Sequence, residues 1–463
     1  MKKITPFFLV LFIGQSLFAQ NFSAAGGEFI FNEHKTPCLT KEQRASIITS
    51  LQESEANLKA QKKLVFDTKN SGDNVLYTWP VEKASGFSYN DVWAISNYVD
   101  HDPDFQEITD YNCGSRSYDL ASGYDHQGVD VFTWPFGWRQ MENDEALITA
   151  AADGQIIFKR DGEPDRNCDL SGDLQWNAVY IQHADGTVAW YGHMKTGSVT
   201  TKNVGDTVSQ GEVLGTIGSS GFSSGPHLHF ETWEDSSYTT LIDPYVGACN
   251  NWDAQSKWES QKGYRESKVN AVLTHSNPPV FNACPNTEIT NESNEFEVSD
   301  TIYFALYMRD QILGTSINLK VIKPDNSILF DWNFDFDATY DASWWYWNFT
   351  DVYDQEGTWT WQATYAGETV SHTFTVGDAL SIEENTLANF RVHPNPFKDY
   401  ISLTSTSTIT SVKLVDVLGK VVLETTDLNG IETVSTKMLS QGLYFMTVTD
   451  TSHQEKTLKL IKQ

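Results

Sequence analysis

The spacing of apolar positions changes several times along the chain. Phe7 to Ile13 form a continuous apolar run after Lys2 and Lys3 and before Ser16-Leu17-Phe18-Ala19. These are the three zones of a secretory signal peptide, with cleavage expected after Ala19. The run is too short to span a bilayer, and no later stretch approaches the roughly 20 apolar residues that a transmembrane helix needs. Thr40 to Gln43 reads as a capping box, and Ile47, Ile48, Leu51 and Leu58 then recur at helical spacing, predicting one amphipathic helix. From Leu147 to Pro244 the period shortens to two. Segments such as "NAVYIQHADGTVAWYGH" and "GDTVSQGEVLGTIGSSG" alternate between glycine-containing turns and predict short strands. Within the first of these, Asp185-Gly186 reads as a hairpin turn. Alternation returns after Phe281, where Trp359, Trp361, Ala363 and Tyr365 share one face, and an immunoglobulin-like β-sandwich is expected.

The expected fold class is therefore mainly β. Its expected divisions are a signal peptide (1–19), an N-terminal helix-containing extension or pro-region (20–110), a β-sheet domain (111–250), a linker (251–280), a sandwich module (281–377), a second linker (378–390) and a small C-terminal β-sandwich (391–463). Loss of Lys2 and Lys3 takes the formal net charge from −29 to about −31. Such a charge repels nucleic acid and argues against it as a partner. The aromatic content of 13% is enough to fill several β cores.

Five cysteines in an exported chain permit disulfides, and one thiol is left over or pairs between chains. Cys113 and Cys168 lie in polar stretches flanking the same domain and are expected to pair, as are Cys249 and Cys284. Cys38 is then odd.

The densest candidate chemistry lies in "GPHLHFE", Gly225 to Glu231. On a strand, His227, His229 and Glu231 project to one face while Leu228 and Phe230 turn to the core. Upstream, "DHQGVDVF" supplies His126 and Asp130, with Gly128 letting the chain turn between them. Imidazole nitrogen and carboxylate oxygen are both zinc ligands, and a catalytic site takes three of them and leaves a position open. His126, Asp130, His227, His229 and His193 exceed that need, so some would act on protons or on an oxyanion instead.

In order along the chain, His126-x-x-x-Asp130, "AAADGQI", "VYIQHADGTVAWYGHM", "VGDTVSQGEVLGTIGSSGFSSGPHLHFE" and "IDP" resemble the lysostaphin and LytM type zinc metallopeptidases over roughly Tyr124 to Pro244. That family cleaves peptide bonds, mostly in peptidoglycan cross-links. The resemblance implies a β-sheet metallopeptidase core of the duplicated hybrid motif and one Zn²⁺ per catalytic domain. It also implies His126, Asp130 and His229 as metal ligands and His193 and His227 as the catalytic pair. Met194 stands where the family has leucine, a volume-conserving change. The insertions "WPFGWRQMENDE" and "GEPDRNCDLSGDLQW" are longer than the usual family loops and are expected to wall the groove. Tyr118 and Tyr124 are both candidates for the tyrosine that the family often places near the first zinc histidine.

Other residues carry plainer readings. Glu231 either accepts an imidazole N–H from behind a metal-binding histidine or is a solvated strand residue. His101, His183, His275, His372, His393 and His453 are read as ordinary core or surface residues. "SWWYW", Ser343 to Trp347, is either a sugar-stacking platform or sandwich core.

The C-terminal "PNPF" start, the Asp416-x-x-Gly419-Lys420 turn and the Gly442-x-Tyr444 strand resemble the type A sorting domain of the type IX secretion system. This implies that secretion machinery as a partner, passage across both membranes and removal of the domain. The function expected is that of a secreted zinc metalloendopeptidase acting on peptidoglycan. The alternatives are an extracellular protease for glycine-rich proteins and a non-catalytic paralogue that binds cell wall or regulates amidases.

Overall fold

The computed structural model describes residues 22–31, 35–66, 74–168, 175–377, 391–404, 408–426, 433–451 and 455–463. The expected signal peptide, the 378–390 linker and His453 lie outside them. The chain divides into two compact units, Met1–Gly377 and Asp378–Gln463. Among the described residues no helix is long and apolar enough to cross a membrane.

In the first unit the chain runs through β1 (Ala25–Glu28), α1 (Lys41–Ala60), β2 (Val81–Lys83), β3 (Trp93–Asn97), β4 (Asp119–Leu120), β5 (Tyr124–Asp125), β6 (Val129–Thr133) and α2 (Gly137–Glu142). It continues through β7 (Ala146–Thr149), β8 (Gly154–Arg160), β9 (Ala178–Gln182), β10 (Val188–Gly192), β11 (Thr207–Val208), β12 (Val213–Thr216), β13 (His227–Trp233) and β14 (Leu241–Ile242). An eight-stranded sheet has the order β11-β8-β9-β10-β13-β6-β3, with β14 pairing β13, and a three-stranded sheet has the order β12-β7-β2. Leu228, Phe230, Val129, Val131, Ile181 and Tyr191 on one face of the large sheet form a single core with Ile148 and Leu214 of the small one and with Ile217 just after it. The opposite face carries Tyr180, Trp190 and Trp233, and α1 packs on these with Ile47, Leu51 and Leu58. The capping box at the start of α1 is formed by Thr40 and Gln43 as its sequence dictates. Strands β2 and β3 come from the expected N-terminal extension, so these two sheets begin before residue 111.

The sandwich has two layers. One sheet orders β1-β20-β17-β15 and the other β16-β22-β21-β18-β19, where β15 is Lys268–His275, β16 Glu295–Phe296, β17 Ile302–Gln311, β18 Ser316–Ile322, β19 Ile328–Asp335, β20 Tyr340–Phe349, β21 Gly357–Tyr365 and β22 Glu368–Val376. The stretch 251–280 expected as a linker thus contributes a whole strand, β15, and its Val269 and Val272 are buried in the core. Trp359, Trp361 and Ala363 fill the space between layers, as their alternation requires. Trp345 and Trp347 of "SWWYW" face this same core. Trp344 and Tyr346 lie on the other face, in a cluster with Phe29, Phe31, Phe132, Trp134 and Phe281. All four rings therefore serve packing.

The expected disulfides are re-paired. Cys113 bonds Cys249, and Cys168 bonds Cys284. Neighbourhood in sequence did not predict the partners, because the 111–114 turn meets the 247–250 turn in space, where the Cys249 N–H donates to the Tyr111 carbonyl at 2.9 Å.

The second unit has a three-stranded sheet from Arg391–His393, Tyr400–Thr404 and Thr433–Ser435. A four-stranded sheet orders Val421–Thr425, Ile409–Asp416, Gly442–Asp450 and Glu455–Lys462. Asp416 makes its turn by accepting from the Leu418 and Lys420 N–H groups at 2.9 and 3.0 Å, with Gly419 at φ 79°.

Candidate active site

Strand alternation sets out the centre. His229 lies opposite Asp130 and Gly192 across β13, and Glu231 lies opposite Trp190, so the histidine and carboxylate side chains share the face away from the apolar core. His126 joins them from the loop just before β6, and His193 from the end of β10. His126, His193 and His229 have no exposed surface, while Asp130 and His227 have 2% each.

Every imidazole has one nitrogen committed to an acceptor. His126 Nδ1 lies 2.7 Å from the Tyr98 carbonyl, His193 Nδ1 2.7 Å from that of Ser220, and His227 Nδ1 2.9 Å from that of Gly225. His229 is reversed, with its Nε2 3.0 Å from Glu231 Oε2 and its Nδ1 2.8 Å from Asp130 Oδ1. These partners fix the tautomers and turn the remaining nitrogens inward. His126 Nε2 lies 2.9 Å from Asp130 Oδ2 yet makes no aligned hydrogen bond. Two ligands aimed at a common point have this arrangement. His193 Nε2 is likewise buried without a hydrogen-bond partner.

A buried N, O, N set with an orphaned ring nitrogen fits a zinc ion. Ligand atoms of His126, Asp130 and His229, with the sulfur of Cys38, all lie within 4.8 Å of one another. Cys38, His193 and His227 form a second such group. The His193 and His227 rings are 4.3 Å apart.

Burial first, and the neighbouring His227 second, hold His193 below its ordinary value. Burial alone would raise Asp130, but His126 and His229 beside it keep it well below the usual carboxylate range. Burial would also raise Glu231, but Arg44 above all, with His229, brings it down to about 2. Glu231 is thus no solvated strand residue. Besides His229 it accepts from Trp233 Nε1 at 2.8 Å and from both terminal nitrogens of Arg44.

Close approach explains one glycine. A Cβ on Gly128 would stand 2.6 Å from His229 Nε2, so its lack of side chain serves packing against the ring more than a turn. His193 itself has φ 59°, a strained left-handed backbone for a non-glycine residue.

Tyr118 and Tyr124 both line the centre. The Tyr118 ring stacks on His126 at 4.8 Å, and Tyr124 lies 5.7 Å beyond it. The histidines read as ordinary stay apart. His183 donates its Nδ1–H to the Asp153 carbonyl at 2.8 Å, and His275 sits between Thr290 and Tyr307 in the sandwich.

Sequence reasoning missed three contributors. Asn97 donates to Asp130 Oδ2 at 3.0 Å, and Trp176, inside the second insertion, meets His193 edge-on at 4.9 Å. Cys38, 4% exposed, is the third. Its only sequence signal is its oddness, a free thiol in an exported chain, and among the described residues it is the cysteine outside the disulfides.

The first unit is thus a β protein with a buried histidine and carboxylate centre and a sandwich, and the second unit is a small β module. Residues 125–244 match Peptidase family M23, and residues 391–463 match the secretion system C-terminal sorting domain. The chain therefore carries an M23 peptidase domain and a sorting tail, and a tail of that class implies export. Lysostaphin of Staphylococcus staphylolyticus is 43% identical over 149 residues, 31% of this chain and 27% of that one. DD-carboxypeptidase/endopeptidase Mpg of Neisseria meningitidis serogroup B is 41% identical over 85 residues, 18% of this chain and 16% of that one. Peptidoglycan DD-endopeptidase ShyC of Vibrio cholerae serotype O1 is 42% identical over 55 residues, 12% of each chain. The similarity thus spans less than a third of each relative's length.

Proposed function

We propose that this protein is a secreted zinc metalloendopeptidase that hydrolyses peptide bonds in peptidoglycan cross-links. The observation that carries the reading is the convergence of four imidazoles and one carboxylate whose outward nitrogens are all committed to acceptors. Such a centre has its inward atoms free for a metal and for proton transfer. His126 Nε2, Asp130 and His229 Nδ1 hold the zinc, which when bound supplies Lewis acidity toward water and the scissile carbonyl.

The chain's own residues do the rest. His227, whose Nε2 is 3.8 Å from Asp130 Oδ1, takes the proton of the attacking water and returns it to the leaving amine. His193 faces it; with Nδ1–H held by Ser220 its Nε2 is the inward atom, and in molecules whose ring carries a proton there as well it donates to the developing oxyanion. Trp176 against His193 excludes water from that side. Glu231 holds His229 in the required tautomer. The wall as substrate is supported by the similarity to peptidoglycan DD-endopeptidase ShyC and to DD-carboxypeptidase/endopeptidase Mpg, and delivery outside the cell by the sorting tail.

Mass spectrometry of muropeptides tests the proposal. Peptidoglycans of different cross-bridge chemistry are digested with the zinc-loaded chain, before and after limited proteolysis of its N-terminal segment, with His229→Ala as control. New peptide termini absent from the control identify the bond. Their absence in both forms rejects the wall as substrate, and new termini in glycine-rich proteins alone move the substrate to extracellular protein.

A further inference from the structure

Cys38 has no part in the hydrolysis proposed above, yet its sulfur belongs to both groups of the centre. It lies within 4.8 Å of the ligand atoms of His126, Asp130 and His229, and equally of those of His193 and His227. That is the space between the metal ligands and the catalytic pair, where water and a scissile carbonyl must meet. Two buried ring nitrogens without hydrogen-bond partners, His126 Nε2 and His193 Nε2, belong to these same two groups, so the sulfur is not filling an apolar hole.

Described residues on both sides of Cys38 are anchored around the centre. Phe31 stacks on Phe132 with ring centroids 4.5 Å apart and meets the edge of His227 at 5.6 Å. Lys35 Nζ donates to Asn97 Oδ1 at 3.1 Å. The Tyr118 hydroxyl donates to the Thr36 carbonyl at 3.0 Å and lies 3.4 Å from the Cys38 sulfur. Arg44 on α1 pairs with Glu231, and β1 extends the sandwich sheet along β20.

We infer that Cys38 is a fourth, inhibitory ligand of the metal centre, carried there by an N-terminal pro-segment that keeps the full chain latent. The inference rests on the metallopeptidase reading and adds its regulation. Zinc sites closed by four protein ligands are structural, and those with three are catalytic. The Cys38 thiolate turns the second kind into the first. On closing, the thiol proton passes to solvent, the sulfur lone pair forms the bond to the metal, and one water leaves. Opening reverses each of these and requires the segment to depart as a whole, because Phe31, Lys35 and Arg44 hold it as well.

The deciding measurement needs no variant. X-ray absorption at the zinc edge of the zinc-loaded full chain should show one sulfur at about 2.3 Å beside nitrogen and oxygen at about 2.0–2.2 Å. Because the other four cysteines are in disulfides, a thiolate shell reports Cys38. A shell of nitrogen and oxygen alone overturns the inference. With cobalt in place of zinc, the full chain should show near-ultraviolet thiolate-to-metal absorption that Cys38→Ser abolishes while retaining one metal per chain. An unchanged spectrum in that variant removes the latch and leaves the metallopeptidase. Failure of both proteins to hold any metal removes the metallopeptidase reading, and the latch with it.

Discussion

The two faces of the eight-stranded sheet are equally buried, for opposite reasons. Leu228 and Phe230 on β13 turn to an apolar core closed by the β12-β7-β2 sheet. His227, His229 and Glu231, on the same strand, turn to a face covered by Phe31, Cys38 and α1. The first burial follows from the hydrophobic effect alone. The second takes imidazoles and carboxylates out of water, which is costly unless each is paired. Arg44 on Glu231, Asn97 on Asp130 and the carbonyls of Tyr98, Ser220 and Gly225 provide that pairing. One strand thus carries a permanent interior and a site under a cover, and adjacent residues report on each.

The largest expected effect separates the faces outright. His229→Ala should lower hydrolysis by the processed protein on the order of 10³-fold or more and abolish stoichiometric zinc. Full turnover in that variant would detach the site from the chemistry. Leu228→Ala, one residue away, should cost about 2–5 kcal/mol in denaturant unfolding while zinc stoichiometry at 25 °C is kept. Zinc loss without destabilisation would erase the distinction between the faces.

A buried histidine far from the centre gives the control for burial alone. His275 is pushed by burial to about 4, below its ordinary 6.5. The fold holds the neutral form, so this stability is complete above pH 6.5 and declines as pH falls from 6.5 toward 4, by up to about 3 kcal/mol. His275→Gln should flatten the pH dependence of the melting temperature in that window. An unaltered slope would assign it to other groups.

Gly128→Ala pushes a Cβ against the His229 ring and should weaken zinc about 10–100-fold, read by competition with a chromogenic chelator. Wild-type affinity would mean that the ring yields without cost. Glu231→Gln should weaken it about tenfold, since the amide can still meet His229 but no longer carries the charge opposite Arg44. No change in either affinity or turnover would reduce Glu231 to a packing residue.

Much of this arrangement was legible in the sequence because it is local. Alternation placed His227, His229 and Glu231 on one face, and the capping box placed the start of α1. What was not legible depends on segments meeting in space. The partners of Cys113 and Cys168 lie 136 and 116 residues away. Trp176 meets His193 from 17 residues away in sequence, and Asn97 reaches Asp130 only because β3 joins the sheet beside β6. Strand β15 was hidden in an expected linker because its apolar stretch is short and sits among polar residues.

The cover on the histidine face belongs to the same polypeptide as the site beneath it. One stopper per molecule follows from this at any dilution, since an attached segment acts at an effective concentration that a separate inhibitor must be supplied to match. Escape from the cell into a large volume therefore does not by itself uncork the centre, and the timing of activity is set by whatever event parts the segment from the sheet.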